Sequence, residues 1–132
     1  MRGLTVSALA AALLAHAAQA QAPDWSHAQP VSVELSSFRF APSTLTLHQG
    51  TPYRIRFTNR ASGGHDFVAK EFFAESSVAP DDRAKISKGR VDVDGGESVE
   101  VRLVPNHAGS YKSHCSHFMH SSFGMTGEII VR

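Results

Sequence analysis

Residues 111–131 read YKSHCSHFMHSSFGMTGEIIV. The ends read as strands, Ser110 to Cys115 and Glu128 to Val131, and the polar, glycine-containing stretch between them reads as a loop. On that loop stand Cys115, His120 and Met125, a C-x4-H-x4-M spacing. A thiolate and an imidazole bind copper strongly in both oxidation states, and a thioether is a soft, weak axial partner, so such a loop can wrap one ion from three sides. A second imidazole would complete a trigonal plane of two histidines and one cysteine. His65 is the candidate: it follows Gly63-Gly64 in the loop after an upstream strand, fifty positions before Cys115, so only folding can join them.

Outward from this loop the chain keeps a strand rhythm. Val31, Val33 and Leu35 alternate with Ser32 and Glu34, and Ser36-Ser37 then shifts the phase to Phe38 and Phe40, as a β-bulge would. Leu45 and Leu47 alternate next. After the turn signal Gln49 to Pro52, Tyr53, Ile55 and Phe57 share one face, opposite Arg54, Arg56 and Thr58, and a loop runs from Asn59 to Gly64. Phe72-Phe73 and Val78 sit in a segment of helical composition ending at Pro80, which predicts one short helix. Val91 and Val93, the Gly95-Gly96 turn, and Val99, Val101 and Leu103 alternating with Glu100 and Arg102 complete about seven short strands, an all-β sandwich. The expected core is Val31, Val33, Phe38, Phe40, Ile55, Phe57, Val99, Val101 and Ile129, enough for the chain to fold without a metal.

Residues 1–20 have a different character. Arg2, an apolar run from Leu4 to Ala15 and the small-x-small triplet Ala18-Gln19-Ala20 form a secretory signal, with a second cleavage position after Ala22. The interruptions at His16 and Gln19 leave too few apolar residues for a membrane span, which takes about 20. The expected organisation is a signal peptide over 1–20, a lead-in over 21–30 and one domain over 31–132, exported to the periplasm. The 132 residues carry 13 Lys plus Arg against 12 Asp plus Glu, a balance with no footprint for nucleic acid and no basic or acidic docking face. One cysteine supplies neither an internal disulfide nor a four-cysteine metal site.

The ordered set His65, Cys115, His120, Met125 resembles the cupredoxin family, over roughly residues 31 to 132. The resemblance implies a Greek-key β-sandwich with one short helix, a type 1 copper site and no catalytic activity. Carried over, His65 is the first ligand, Cys115 the thiolate, His120 the second imidazole and Met125 the axial thioether. In many family members with this loop length Pro-Gly precedes the second histidine, where Phe118-Met119 stands here, and Asp66 follows the first histidine where Asn or Ser is frequent. The stretch Gly63 to Phe67 with His114 to His120 looks most like the small periplasmic copper-tolerance cupredoxins of the CopI-like kind.

Each residue also has a plainer reading. A lone buried cysteine is ordinarily a small hydrophobe, and a methionine near a strand is ordinarily core filler; it is the four together that point to copper. His114, His117 and Met119 are candidate ligands for a second copper ion, although strand alternation turns His114 to the face opposite Cys115. His27, His48 and His107 lie in or beside turns and read as surface residues. Cysteine–histidine nucleophilic catalysis would need a third, orienting group and a cleft. The expected function is copper tolerance or handling by a monomer with one redox-active ion, Cu(I) or Cu(II), or a second besides. The alternative is a soluble shuttle that meets larger redox proteins transiently, with Phe118, Met119 and Phe123 offering an apolar patch.

Overall fold

A computed structural model describes residues 21–117 and 119–132; residues 1–20, where a signal peptide is expected, and Phe118 lie outside the described residues. Among these the chain forms β1 (Gln29–Ser36), β2 (Arg39–Ala41), β3 (Thr44–Leu47), β4 (Tyr53–Asn59), β5 (His65–Val68), α1 (Lys70–Ala74), β6 (Ser76–Val78), β7 (Arg90–Val93), β8 (Ser98–Pro105), β9 (Gly109–His114) and β10 (Thr126–Val131). Short 3-10 turns stand at Trp25–His27, Pro80–Lys85 and Ser121–Phe123. The strands form two five-stranded sheets, ordered β2-β1-β4-β8-β6 and β3-β10-β9-β5-β7. Pairs β1·β4 and β3·β10 are parallel, and the others are antiparallel. The result is an all-β, cupredoxin-like sandwich with one short α-helix. No helix among the described residues is long and apolar enough to cross a membrane.

Alternating strands behave as their pattern requires: Tyr53, Ile55 and Phe57 of β4 are buried while Arg56 faces water. Aromatic side chains join the sheets. Phe67 of β5 meets Phe40 of β2 at 5.1 Å and Phe57 of β4 at 4.8 Å between ring centroids, two residues along the strand from His65 and therefore on the same face.

Several expectations are corrected. The phase shift after Ser36 is a tight hairpin rather than a bulge: Ser36 pairs with Arg39, and Phe38 takes φ +59° in the two-residue turn. That conformation lifts Phe38 out of the core, leaving it 42% exposed while Phe40 is buried. The helical segment before Pro80 is shorter than composition implies, because Ser76–Val78 leaves it to pair with β8. β5 has no alternating signature, since all four of its residues are buried, and His65 is its first residue rather than a loop residue. β1 begins at Gln29, two residues before Val31, pairing Gln29 with Tyr53 and Pro30 with Arg54.

Asp82 fastens the 80–85 turn to the sandwich. Its buried carboxylate accepts from the Arg102 backbone N–H at 2.9 Å, from Arg102 Nε at 2.8 Å and from Lys85 Nζ at 2.8 Å. Burial would raise its pKa, but the hydrogen bonds from Arg102 and Lys85 outweigh it and hold the carboxyl well below the ordinary range. A carboxyl depressed in the folded state stabilises the protein above its unfolded pKa of about 3.9 and loses that contribution as the pH falls further. Asp82→Asn should therefore cost about 2 kcal/mol near neutrality, and the gap between variant and parent should close in acid; urea melts across pH check this.

Candidate metal centre

The approach to His65 is built by Asn59, a buried residue at the end of β4 that sequence reading passed over. Its Nδ2 donates to the Gly63 carbonyl at 2.8 Å and to the Val93 carbonyl at 3.0 Å, and its Oδ1 accepts from the Ala61 N–H at 2.9 Å. The loop is thereby folded onto the end of β7. Gly95 lets it settle there, because a Cβ at that position would lie 2.0 Å from the Ser62 carbonyl oxygen. The signal for Asn59 was a polar, turn-favouring side chain at the end of an apolar strand.

Cys115 follows β9 directly, and the loop beyond it is laced to itself. The Cys115 N–H donates to the Met125 carbonyl at 3.1 Å, the Met125 N–H to the His120 carbonyl at 3.0 Å, and the His120 N–H to the His117 carbonyl at 3.1 Å. Below it, Thr126 faces His114 and the β9·β10 ladder begins.

These frames bring His65, Cys115 and His120 together. His65 Nδ1 lies 3.1 Å from His120 Nδ1, and Cys115 Sγ lies 3.8 Å from the first and 3.3 Å from the second. The point equidistant from three atoms so spaced is about 2.0 Å from each, a metal-to-imidazole bond length. Two nitrogens and one sulfur closing on such a point is a donor set that fits a copper ion. Cys115 and His65 are buried and His120 is half-buried. Burial lowers the His65 pKa, helped by the neighbouring His120 and His117, so the ring is held neutral with a lone pair to offer. Burial raises the Cys115 thiol, opposed by hydrogen bonds from the backbone N–H groups of Asp66 and His117.

Asp66 occupies the other face of β5. Its Oδ1 accepts from the Ser116 N–H at 2.6 Å and its Oδ2 from the Ser116 hydroxyl. Burial would raise this carboxyl, but the Ser116 hydrogen bonds prevail and keep it below its ordinary value. Met125 is fully buried and belongs to the same core cluster as Cys115. The residues considered for a second ion, His114, His117 and Met119, are all exposed. His114 is exposed on the outer face of β9 in a groove with Lys112 and Glu71, and Met119 is 45% exposed. His117 stacks on His120 at 5.5 Å, and its ring nitrogen clusters with the carboxylates of Asp66 and Asp92, a grouping not anticipated from sequence. His27, His48 and His107 are exposed.

Residues 4–131 match the family described as a cupredoxin-like domain. No curated protein matches the chain in sequence. Among solved structures, the dithionite-reduced auracyanin of Roseiflexus castenholzii superposes with a TM-score of 0.59 at 16% identity, covering 80% of this chain and 98% of that one. Auracyanin A, the "blue" copper protein of Chloroflexus aurantiacus, gives 0.54 at 22%, covering 78% and 99%. The McoA multicopper oxidase of Aquifex aeolicus gives 0.64 at 17%, covering 86% of this chain but 31% of that one. At these identities the likeness is one of fold.

Removing the Asn59 amide strands the Ala61 N–H and two carbonyls beside His65. Asn59→Ala should cost about 2–3 kcal/mol and weaken metal retention; urea unfolding and competition with a chromophoric copper chelator measure the two effects.

Proposed function

The chain belongs to the cupredoxin-like domain family, and from that membership we propose that it is an exported type 1 copper protein that carries single electrons between larger redox proteins. The observation that carries the proposal is the close triangle of His65 Nδ1, Cys115 Sγ and His120 Nδ1. His65, Cys115 and His120 would hold the ion, with the thioether of Met125 as a further donor. Copper so bound would supply a one-electron couple, Cu(I)/Cu(II). The protein's share is to keep the ligands where they are: Asn59 fixes the approach to His65, and the Cys115–Met125 backbone hydrogen bond closes the loop that carries the other donors.

Shuttling rather than storage is supported by the surface beside His120. Phe38 meets the His120 ring edge to face at 5.1 Å and Phe123 at 5.3 Å, and Phe38, Met119 and Phe123 are the large hydrophobic side chains left exposed among the described residues. An apolar patch around a half-buried ligand suits brief docking of small area. The copper-tolerance reading, with its likeness to the CopI-like cupredoxins, keeps one observation in its favour: His117, Asp66 and Asp92 stand beside the triangle as further oxygen and nitrogen donors. Export through residues 1–20, with cleavage after Ala20 or Ala22, and a monomeric state in the periplasm belong to the same proposal.

The copper-loaded protein should show a strong visible thiolate-to-copper band that Cys115→Ser abolishes, that His65→Ala and His120→Ala disrupt, and that Met125→Ala shifts with little loss of affinity. Full colour in Cys115→Ser would overturn the assignment. Phe38→Asp should leave the spectrum intact and slow electron exchange with a soluble cytochrome roughly tenfold. A deletion strain should lose oxygen uptake at ordinary copper; normal uptake with copper sensitivity would favour the tolerance reading instead.

A further inference from the structure

The sheet orders leave β6 at the edge of one sheet and β7 at the edge of the other. A groove of about 950 Å³ runs beside β6, lined by Phe73, Val78 and Ile86 together with Lys70, Arg83 and Lys88. The edge of β6 has bonding groups to spare. Hydrogen bonds to β8 fall at Glu75, whose carbonyl accepts from the Asn106 N–H, and at Ala79, whose N–H donates to the Arg102 carbonyl, with Ser77 opposite Val104 between them. In an antiparallel pair the residues in between, Ser76 and Val78, turn their N–H and C=O groups the other way, to the free side. Both residues line the groove.

Charge is sorted around it. The balanced composition predicts no charged docking face, but a sum over the chain hides local segregation. No acidic side chain lines the groove. The acids of this segment are committed elsewhere: Glu71 lines a neighbouring groove with Lys112 and His114, which Lys70 also borders, Glu75 takes the Tyr111 hydroxyl at 2.5 Å, and Asp81 and Asp82 face Arg102. Lys70, Arg83 and Lys88 are exposed and make no ion pair among the described residues. The Lys70 stem is pressed against Gly89, where a Cβ would lie 2.5 Å from Lys70 Cγ, and Arg83 rides on the turn fastened by Asp82.

We propose that this groove receives an extended acidic segment of a partner protein, which adds as a strand to β6. Strand addition draws affinity from main-chain hydrogen bonds and selectivity from the side chains beside the edge. Apolar side chains of the segment would rest on Phe73, Val78 and Ile86, and its carboxylates would meet the three cations, a charge match that also repels basic edges. The site is remote from His65 along β5 and does not depend on copper.

The test is fluorescence anisotropy of a labelled peptide of alternating Asp and Val, titrated with the copper-loaded protein and with the copper-free form. Equal, salt-sensitive binding to both forms is expected, roughly tenfold weaker for Lys70→Glu and for Arg83→Glu, with each variant's melting temperature and visible band unchanged. A peptide of alternating Lys and Val should not bind, and backbone N-methylation of the acidic peptide should abolish binding. Retained binding of the methylated peptide would overturn strand addition. Displacement by hexanoate at matched carboxylate concentration would assign the groove to small anions, and self-association lost in Arg83→Glu would assign it to a second copy; either result overturns the proposal.

Discussion

Between β5 and β9 the ladder is closed at one point and then parts. Val68 faces His114, and two positions outward the same register would set Asp66 against Ser116. There the backbones no longer meet, and the Asp66 carboxylate bridges the gap to the Ser116 N–H and hydroxyl. A carboxylate reaches farther than a carbonyl, so the strands can spread without leaving the Ser116 donor unsatisfied. In the wedge that opens, His65 and Cys115 project toward each other across fifty residues of sequence. Everything else at this end, the Asn59 clamp and the lacing of the 115–125 loop, trims a geometry that this parting of strands makes available.

The protein places its buried charge sparingly. Asp66 and Asp82 are the buried carboxylates among the described residues, and both hold a segment of irregular backbone against a sheet. Each is surrounded by donors that keep it ionised, so its desolvation is offset within its own hydrogen-bond shell. The apolar contribution is concentrated between the sheets, where Phe67, two residues along β5 from His65, touches aromatic rings from both β2 and β4.

How much of this could be read beforehand depended on the faces each segment presents. β4 and β8 have one face on the core and one toward water, so their alternation was visible, and the C-x4-H-x4-M spacing marked three of the donors because they share one loop. β5 was hidden: a strand buried on both faces has no period of two, and His65 could be named only through its chemistry. The Ser36-Ser37 phase shift was visible but admitted two mechanisms, and only the positive φ at Phe38 tells the hairpin from the bulge. Asn59 and the cluster of Asp66, Asp92 and His117 involve residues far apart in the chain, whose meeting depends on the β5·β7 register setting Asp66 opposite Asp92. Nothing local announces such meetings.

The hydrogen bond from the Cys115 N–H to the Met125 carbonyl closes the intervening residues into a loop whose two feet stand on adjacent strands. Such a loop is topologically an appendix: its contour length can change without altering the register of any strand. The segment beyond Ser116, up to 124, is therefore a module that descent or design can exchange while the sandwich beneath stays as it is. Of the three atoms in the triangle, two come from the rigid frame and its rim, and one, His120 Nδ1, comes from the exchangeable part. Changes of loop length would then act chiefly by moving that single nitrogen.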